Sequence, residues 1–111
     1  MWAVDKSGKS LAREYFRRLK ASDRAKIQAV FNRLANFGRV QSQERFKKLG
    51  ERNGFALWEV KSFQYRFIGT FSSRREFVVA HGLQKKQNQH RVRDLDIAAK
   101  NLTNYFEGVQ P

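Results

Sequence analysis

The chain has 111 residues, 41% of them hydrophobic and 14% aromatic, with ten phenylalanines; that is enough for one domain with one core and too apolar for an intrinsically disordered chain. Lys and Arg number 23 against ten Asp and Glu, a formal charge of +13 with a pI near 10.8, which makes the chain a standing attraction for polyanions, nucleic acid and the ribosome first among them. The absence of cysteine excludes disulfides, thiolate zinc sites and cysteine nucleophiles.

The opening "MWAVDKSGKS" lacks the apolar core of a signal peptide, and no apolar stretch approaches membrane-spanning length, so a soluble, cytoplasmic chain with no membrane partner is expected. "WAV" (2–4) reads as a short edge strand. From Ser10, "SLAREYFRRLK" sets Leu11, Tyr15 and Leu19 at helical spacing, with Ala12 and Phe16 widening the stripe and Arg13, Arg17, Arg18 and Lys20 on the other face. Ser22 is a candidate cap for a second helix, "DRAKIQAVFNRLANF", whose stripe is Ile27, Val30, Phe31 and Leu34 and whose stop is Gly38. A break of two or three residues predicts that the two helices pair as an antiparallel hairpin.

Beyond Gly38 the pattern changes to short aromatic and β-branched runs: "ERFKKLG" (44–50), a turn at Asn53–Gly54, "FALWEVK" (55–61), "QYRFIGTF" (64–71), a "SSRR" turn and "EFVVAHGLQK" (76–85). These predict an antiparallel meander of three or four strands. "RVRDLDIAAKNLTNYFEG" (91–108) then places Val92, Leu95, Ala98, Ala99, Leu102 and Phe106 on one stripe of a C-terminal helix. The expected fold is α+β, a single domain over 1–111. Its N-terminal helical hairpin packs on one face of a small antiparallel sheet, with part of the other face open.

Elimination narrows the chemistry. Two histidines, no cysteine and scattered acids offer no metal-ligand constellation. The acids of "DLD" (94–96) point apart at helical spacing, and "SGKS" (7–10) lacks the strand that precedes a phosphate-binding loop. What remains is cations on a sheet: Arg45, Lys47 and Lys48 on the first strand, Arg66 within "QYRF", and Lys85 and Lys86 past the last strand. If the strands pair in order, these three groups converge on one exposed surface suited to gripping phosphates. Trp58 and Tyr65 are candidate stacking surfaces for an unpaired base, or else part of the core with Phe67 and Phe71. Arg66 lies mid-strand, where the alternative to a phosphate is a salt bridge to Glu59 on the adjacent strand. His81 is either an acid or base near neutral pH or a hydrogen-bonded core residue.

Four strings in order resemble a known pattern: Lys48–Leu49, Leu57–Trp58–Glu59–Val60–Lys61, Tyr65–Arg66–Phe67 and His81–Gly82–Leu83–Gln84–Lys85–Lys86. Over residues 10–106 the chain resembles the RelE/ParE superfamily, and within it the phage-derived HigB-like toxins of type II toxin–antitoxin pairs. The resemblance implies a RelE-like sheet with a helical hairpin, and a ribosome-dependent mRNA endoribonuclease. Cleavage in that family is metal-independent, by attack of a ribose 2′-hydroxyl on the adjacent phosphate, and no cofactor is implied. Carried over, Arg66 holds the scissile phosphate, Lys85 and Lys86 bind phosphate or protonate the leaving oxygen, and Lys47 or Lys48 is the base. Lys61 stands where many relatives carry arginine, and with Arg45, Lys47, Trp58, Tyr65 and His81 it makes up the expected RNA-binding set. The implied partners are mRNA on the ribosome and a cognate helix-turn-helix antitoxin, with operator DNA reached through the toxin–antitoxin complex. The alternatives are a ParE-like gyrase inhibitor and a non-enzymatic nucleic-acid-binding phage protein.

Overall fold

Helix α1 (Leu11–Arg17) begins where the Ser10 hydroxyl accepts a hydrogen bond from the Arg13 amide at 3.2 Å, as its N-cap. The structure, a computed structural model, describes residues 1–37, 46–85 and 92–109. α1 stops before the apolar spacing predicts, because the Arg24 guanidinium donates to the carbonyls of Arg17 and Leu19 and caps them from the next helix. Helix α2 (Ala21–Phe37) accordingly starts early, and Ser22 lies in its first turn instead of at its cap. It buries Ile27, Val30 and Leu34, with Phe31 partly covered.

Four strands follow, β1 (Phe46–Arg52), β2 (Phe55–Ser62), β3 (Tyr65–Phe71) and β4 (Phe77–Gln84), paired antiparallel in sequence order. Asn53 and Gly54 join β1 to β2 with φ of 53° and 82°, the left-handed pair a two-residue hairpin requires. "WAV" contributes one parallel bridge, Trp2 to Val79: the Ala3 amide donates to the Val79 carbonyl and the Val79 amide to the Met1 carbonyl, each at 2.8 Å, along the outer side of β4.

Both faces of the sheet carry helices, one of them only in part. On one, α1 and α2 pack over Phe46, Val60, Phe67, Phe77 and Val79. Phe67 is the hub, with Trp2, Tyr15, Phe16 and Phe31 at centroid distances of 5.6–6.3 Å in edge or tilted geometry. On the other face, helix α3 (Val92–Val109) lays Leu95, Ala98 and Leu102 on Leu57, Ile68, Val78 and Ala80. The α+β class and hairpin-on-sheet packing are as expected. The second face is less open than expected because the stripe of α3 needs a partner and takes the sheet. Val92, expected on that stripe, is 52% exposed because it precedes the docked turns.

Two register shifts matter for the site. In β4, Ile68 pairs with His81 but Gly69 with Val79, so Ala80 is an extra residue, and its carbonyl accepts the Asn101 side-chain amide from α3 at 2.9 Å. In β1, the shift between Lys48 and Gly50 makes Leu49 the extra residue and turns it toward the α3 core.

Two glycines carry the close approaches. A methyl group at Gly82 would meet Phe67 Cε1 at 2.7 Å and Tyr15 Cδ2 at 2.8 Å, and one at Gly69 would collide with the Val78 carbonyl. Gly82→Ala is therefore expected to cost about 1–3 kcal/mol by overpacking, and Gly69→Ala more, since backbone cannot yield as a ring can. Urea denaturation of the two variants checks the size and the order.

Candidate functional site

The cationic face is a product of strand register. Lys47, Glu59, Ile68 and His81 form one cross-strand row, and Lys61, Arg66 and Leu83 form the next. All lie on the face that α3 partly covers, since Ile68 belongs to the α3 core and His81 bonds to α3. The Ala80 bulge decides this. Val79 points toward the helical hairpin, and unbroken alternation through Ala80 would send His81 and Leu83 the same way. Lys85 continues that alternation beyond the strand, its amide donating to the Gln64 carbonyl at 2.7 Å.

Among the expected residues, Lys47, Lys61, Arg66, His81 and Lys85 thus come to one face. Lys48 does not: it pairs with Trp58 on the hairpin side. Trp58 and Tyr65 also face the hairpin. Trp58 stacks on Phe46 at 4.8 Å and 12°, and meets Phe71 edge-on. The Tyr65 hydroxyl donates to the Asp23 carboxylate at 3.0 Å, and that bond, with burial and the carboxylate charge behind it, raises the phenol pKa. Both rings are half-buried and belong to the hairpin side of the sheet, away from the cations. Arg45 and Lys86 lie outside the described residues.

Arg66 is 6% exposed and Glu59 2%. Arg66 Nε is 3.7 Å from Glu59 Oε1, and its Nη1 donates to the carbonyls of Tyr65 (3.0 Å) and Phe63. The salt bridge weighed in the sequence is present, and the guanidinium also ties down the β2–β3 turn. In this arrangement Arg66 lies beneath the surface that Lys47, Lys61 and Lys85 present.

His81 Nε2 lies 2.8 Å from Asp94 Oδ1 at the start of α3, while Asp96 turns away to Arg52 at 3.7 Å. The two acids of "DLD" do point apart, Asp94 to His81 and Asp96 to Arg52. Asp94 was not legible as a site residue, since only the docking of α3 brings it to His81. Chemically the face offers exposed and half-buried ammonium groups for phosphate oxygens and one histidine oriented by a carboxylate for proton transfer. Among the described residues no three of His, Asp and Glu gather closely enough to hold a metal ion, and no helix is long and apolar enough to cross a membrane.

Two outcomes follow from the buried pair and the tyrosine. Arg66→Ala should cost about 3–5 kcal/mol by removing the guanidinium charge beside the buried Glu59 carboxylate, while Glu59→Leu/Arg66→Met recovers most of that loss; denaturation curves of both variants decide it. Because the folded state holds the Tyr65 proton more tightly than the ordinary value of 10.0, its contribution is intact below that pH and lost as pH climbs through the raised value. Tyr65→Phe should therefore flatten the alkaline fall in melting temperature.

A search of curated proteins finds no match to the chain. Residues 14–103 match the family described as phage-derived protein Gp49-like (DUF891), a RelE-toxin-like family. That match runs from the middle of α1 through most of α3, including every strand of the cationic face, and the chain belongs to the phage-derived Gp49-like family.

Proposed function

We propose that this chain is the toxin of a type II toxin–antitoxin pair and acts as a ribosome-dependent mRNA endoribonuclease. The observation that carries the reading is the shared face of Lys47, Lys61, Arg66, His81 and Lys85, assembled from all four strands and the residue after the fourth in a chain of charge +13. A phosphodiester entering that face meets positive charge from several directions. Cleavage without a metal needs a base to take the ribose 2′-proton, a positive environment for the five-coordinate phosphorus, and an acid to protonate the departing 5′-oxygen.

The attacking 2′-oxygen forms a bond to phosphorus as the bond to the 5′-oxygen breaks, leaving a cyclic 2′,3′-phosphate and a 5′-hydroxyl. Lys47 replaces Lys48 as the lysine proposed for the base, since only Lys47 shares the face. Lys85 and Lys86 bind phosphate or protonate the leaving oxygen, and His81, oriented by Asp94, stands ready for either transfer. Arg66 adds its charge from below and fixes the turn, with Glu59 setting its position. A positively charged toxin of this kind is held inactive by a cognate antitoxin that covers the face.

Induced expression without a partner should halt translation and yield truncated transcripts with 5′-hydroxyl ends at codon-related positions. Lys85→Ala/Lys86→Ala and Lys47→Ala should each lower cleavage by about 10²-fold or more with unchanged melting temperature. Intact transcripts together with loss of plasmid supercoiling would instead make the chain a gyrase inhibitor.

A further inference from the structure

The turn between β2 and β3 holds an aromatic ring where a ring is unfavourable on two counts. Phe63 is 62% exposed, and its backbone has φ of 54°, a left-handed conformation that favours glycine or asparagine. Nothing in the hairpin needs a phenyl group there: Ser62 and Tyr65 close the ladder, and the turn itself would form more readily with glycine. The conformation is nonetheless held, because Arg66 Nη1 binds the Phe63 carbonyl. A ring kept in water on a strained backbone is an outlier that calls for a functional reason.

Its surroundings supply one. Phe63 borders a groove of about 400 Å³ between α2 and the end of β2, whose other walls are Lys26, Ala29, Val30, Arg33, Lys61 and Ser62. Three of the seven lining residues are cations and none is an acid. Lys26 Nζ lies 4.4 Å from the centre of the Phe63 ring, a cation–π contact that steadies the ring. Lys61 belongs to both regions, as a wall of this groove and as the register partner of Arg66 on the cationic face. A strand bound in the groove therefore leads onto that face.

We propose that this groove binds a single-stranded RNA segment, with one unpaired base stacked on Phe63 and neighbouring phosphates held by Lys26, Arg33 and Lys61. An exposed ring beside closely spaced cations matches the alternation of base and phosphate along a single strand, where stacking tolerates any base and the ammonium and guanidinium groups track the backbone. An acidic protein segment would use the cations but has no requirement for the ring. The inference goes beyond the proposed cleavage, because it concerns RNA flanking the cleaved linkage and holds for an uncleavable strand.

The test is fluorescence anisotropy of the full chain with a 2′-O-methyl RNA oligonucleotide, which removes cleavage from the readout. Phe63→Gly should weaken binding roughly 5- to 150-fold while leaving the melting temperature equal or higher, and Phe63→Tyr should bind as the parent does. Lys26→Ala and Arg33→Ala should each flatten the dependence of log affinity on log salt by about 0.7. Undiminished binding by Phe63→Gly, a lower melting temperature for it, or equal competition by polyglutamate would each overturn the proposal. Transcript cleavage in cells by a chain whose groove variants bind normally would leave the proposed function standing and the groove assignment failed.

Discussion

One extra residue in β4 organises the functional side of this molecule. Ala80 has no register partner on β3, and as a bulge it breaks the alternation, so every later side chain in the strand faces the opposite way from that reached by counting on from Val79. Upstream of it, Val79 fills the hairpin core; downstream, His81 and Leu83 turn to the α3 side and Gly82 to the hairpin side. Asn101 secures the bulge by taking the Ala80 carbonyl, so α3 both covers the sheet and stabilises the irregularity that aims its residues. The bulge brings His81 within 2.8 Å of Asp94 and sets the Lys85 segment on the side of Lys47.

A second constraint is charge. Thirteen excess positive charges in a small domain repel one another, and five of the ten acids stand where they hold a partner in position. Asp23 accepts from Tyr65, Asp94 engages His81, Asp96 approaches Arg52, and Glu59 sits against Arg66 in the interior. Asp5 accepts from the Ser7 amide and hydroxyl and from the Lys9 amide, with the Ser7 hydroxyl bond the main reason its carboxyl titrates below the ordinary value. "SGKS" is thus an Asp-anchored turn leading into the Ser10 cap, a local structural role. With these acids engaged, the surface left to Lys26, Arg33, Lys47 and Lys61 is strongly positive.

Arg66 links these two constraints. Its register places it on the cationic face, yet its guanidinium is used within the fold, on Glu59 and on the carbonyls of the β2–β3 turn. Substitution there changes the core and the turn as well as the local charge, so loss of function at Arg66 alone does not separate catalysis from architecture. Lys47, exposed on the next row, carries no such burden.

The α+β class, the strand order, the Asn53–Gly54 turn and the core of α2 were readable from the sequence, because periodicity and turn chemistry act over a few residues. The attraction to polyanions was readable for the same kind of reason, since net charge needs no coordinates. The sequence also offered both fates of Arg66 without choosing between them. Which lysine shares its face, that Trp58 and Tyr65 turn away, and that Asp94 meets His81 depended on two bulges and on the docking of α3. A bulge moves side chains from one face to the other without altering the pattern of residue types enough to announce itself, and a helix–sheet contact joins residues that no local spacing relates. Phe63, at a turn the strand pattern left blank, took its meaning only from the helix beside it.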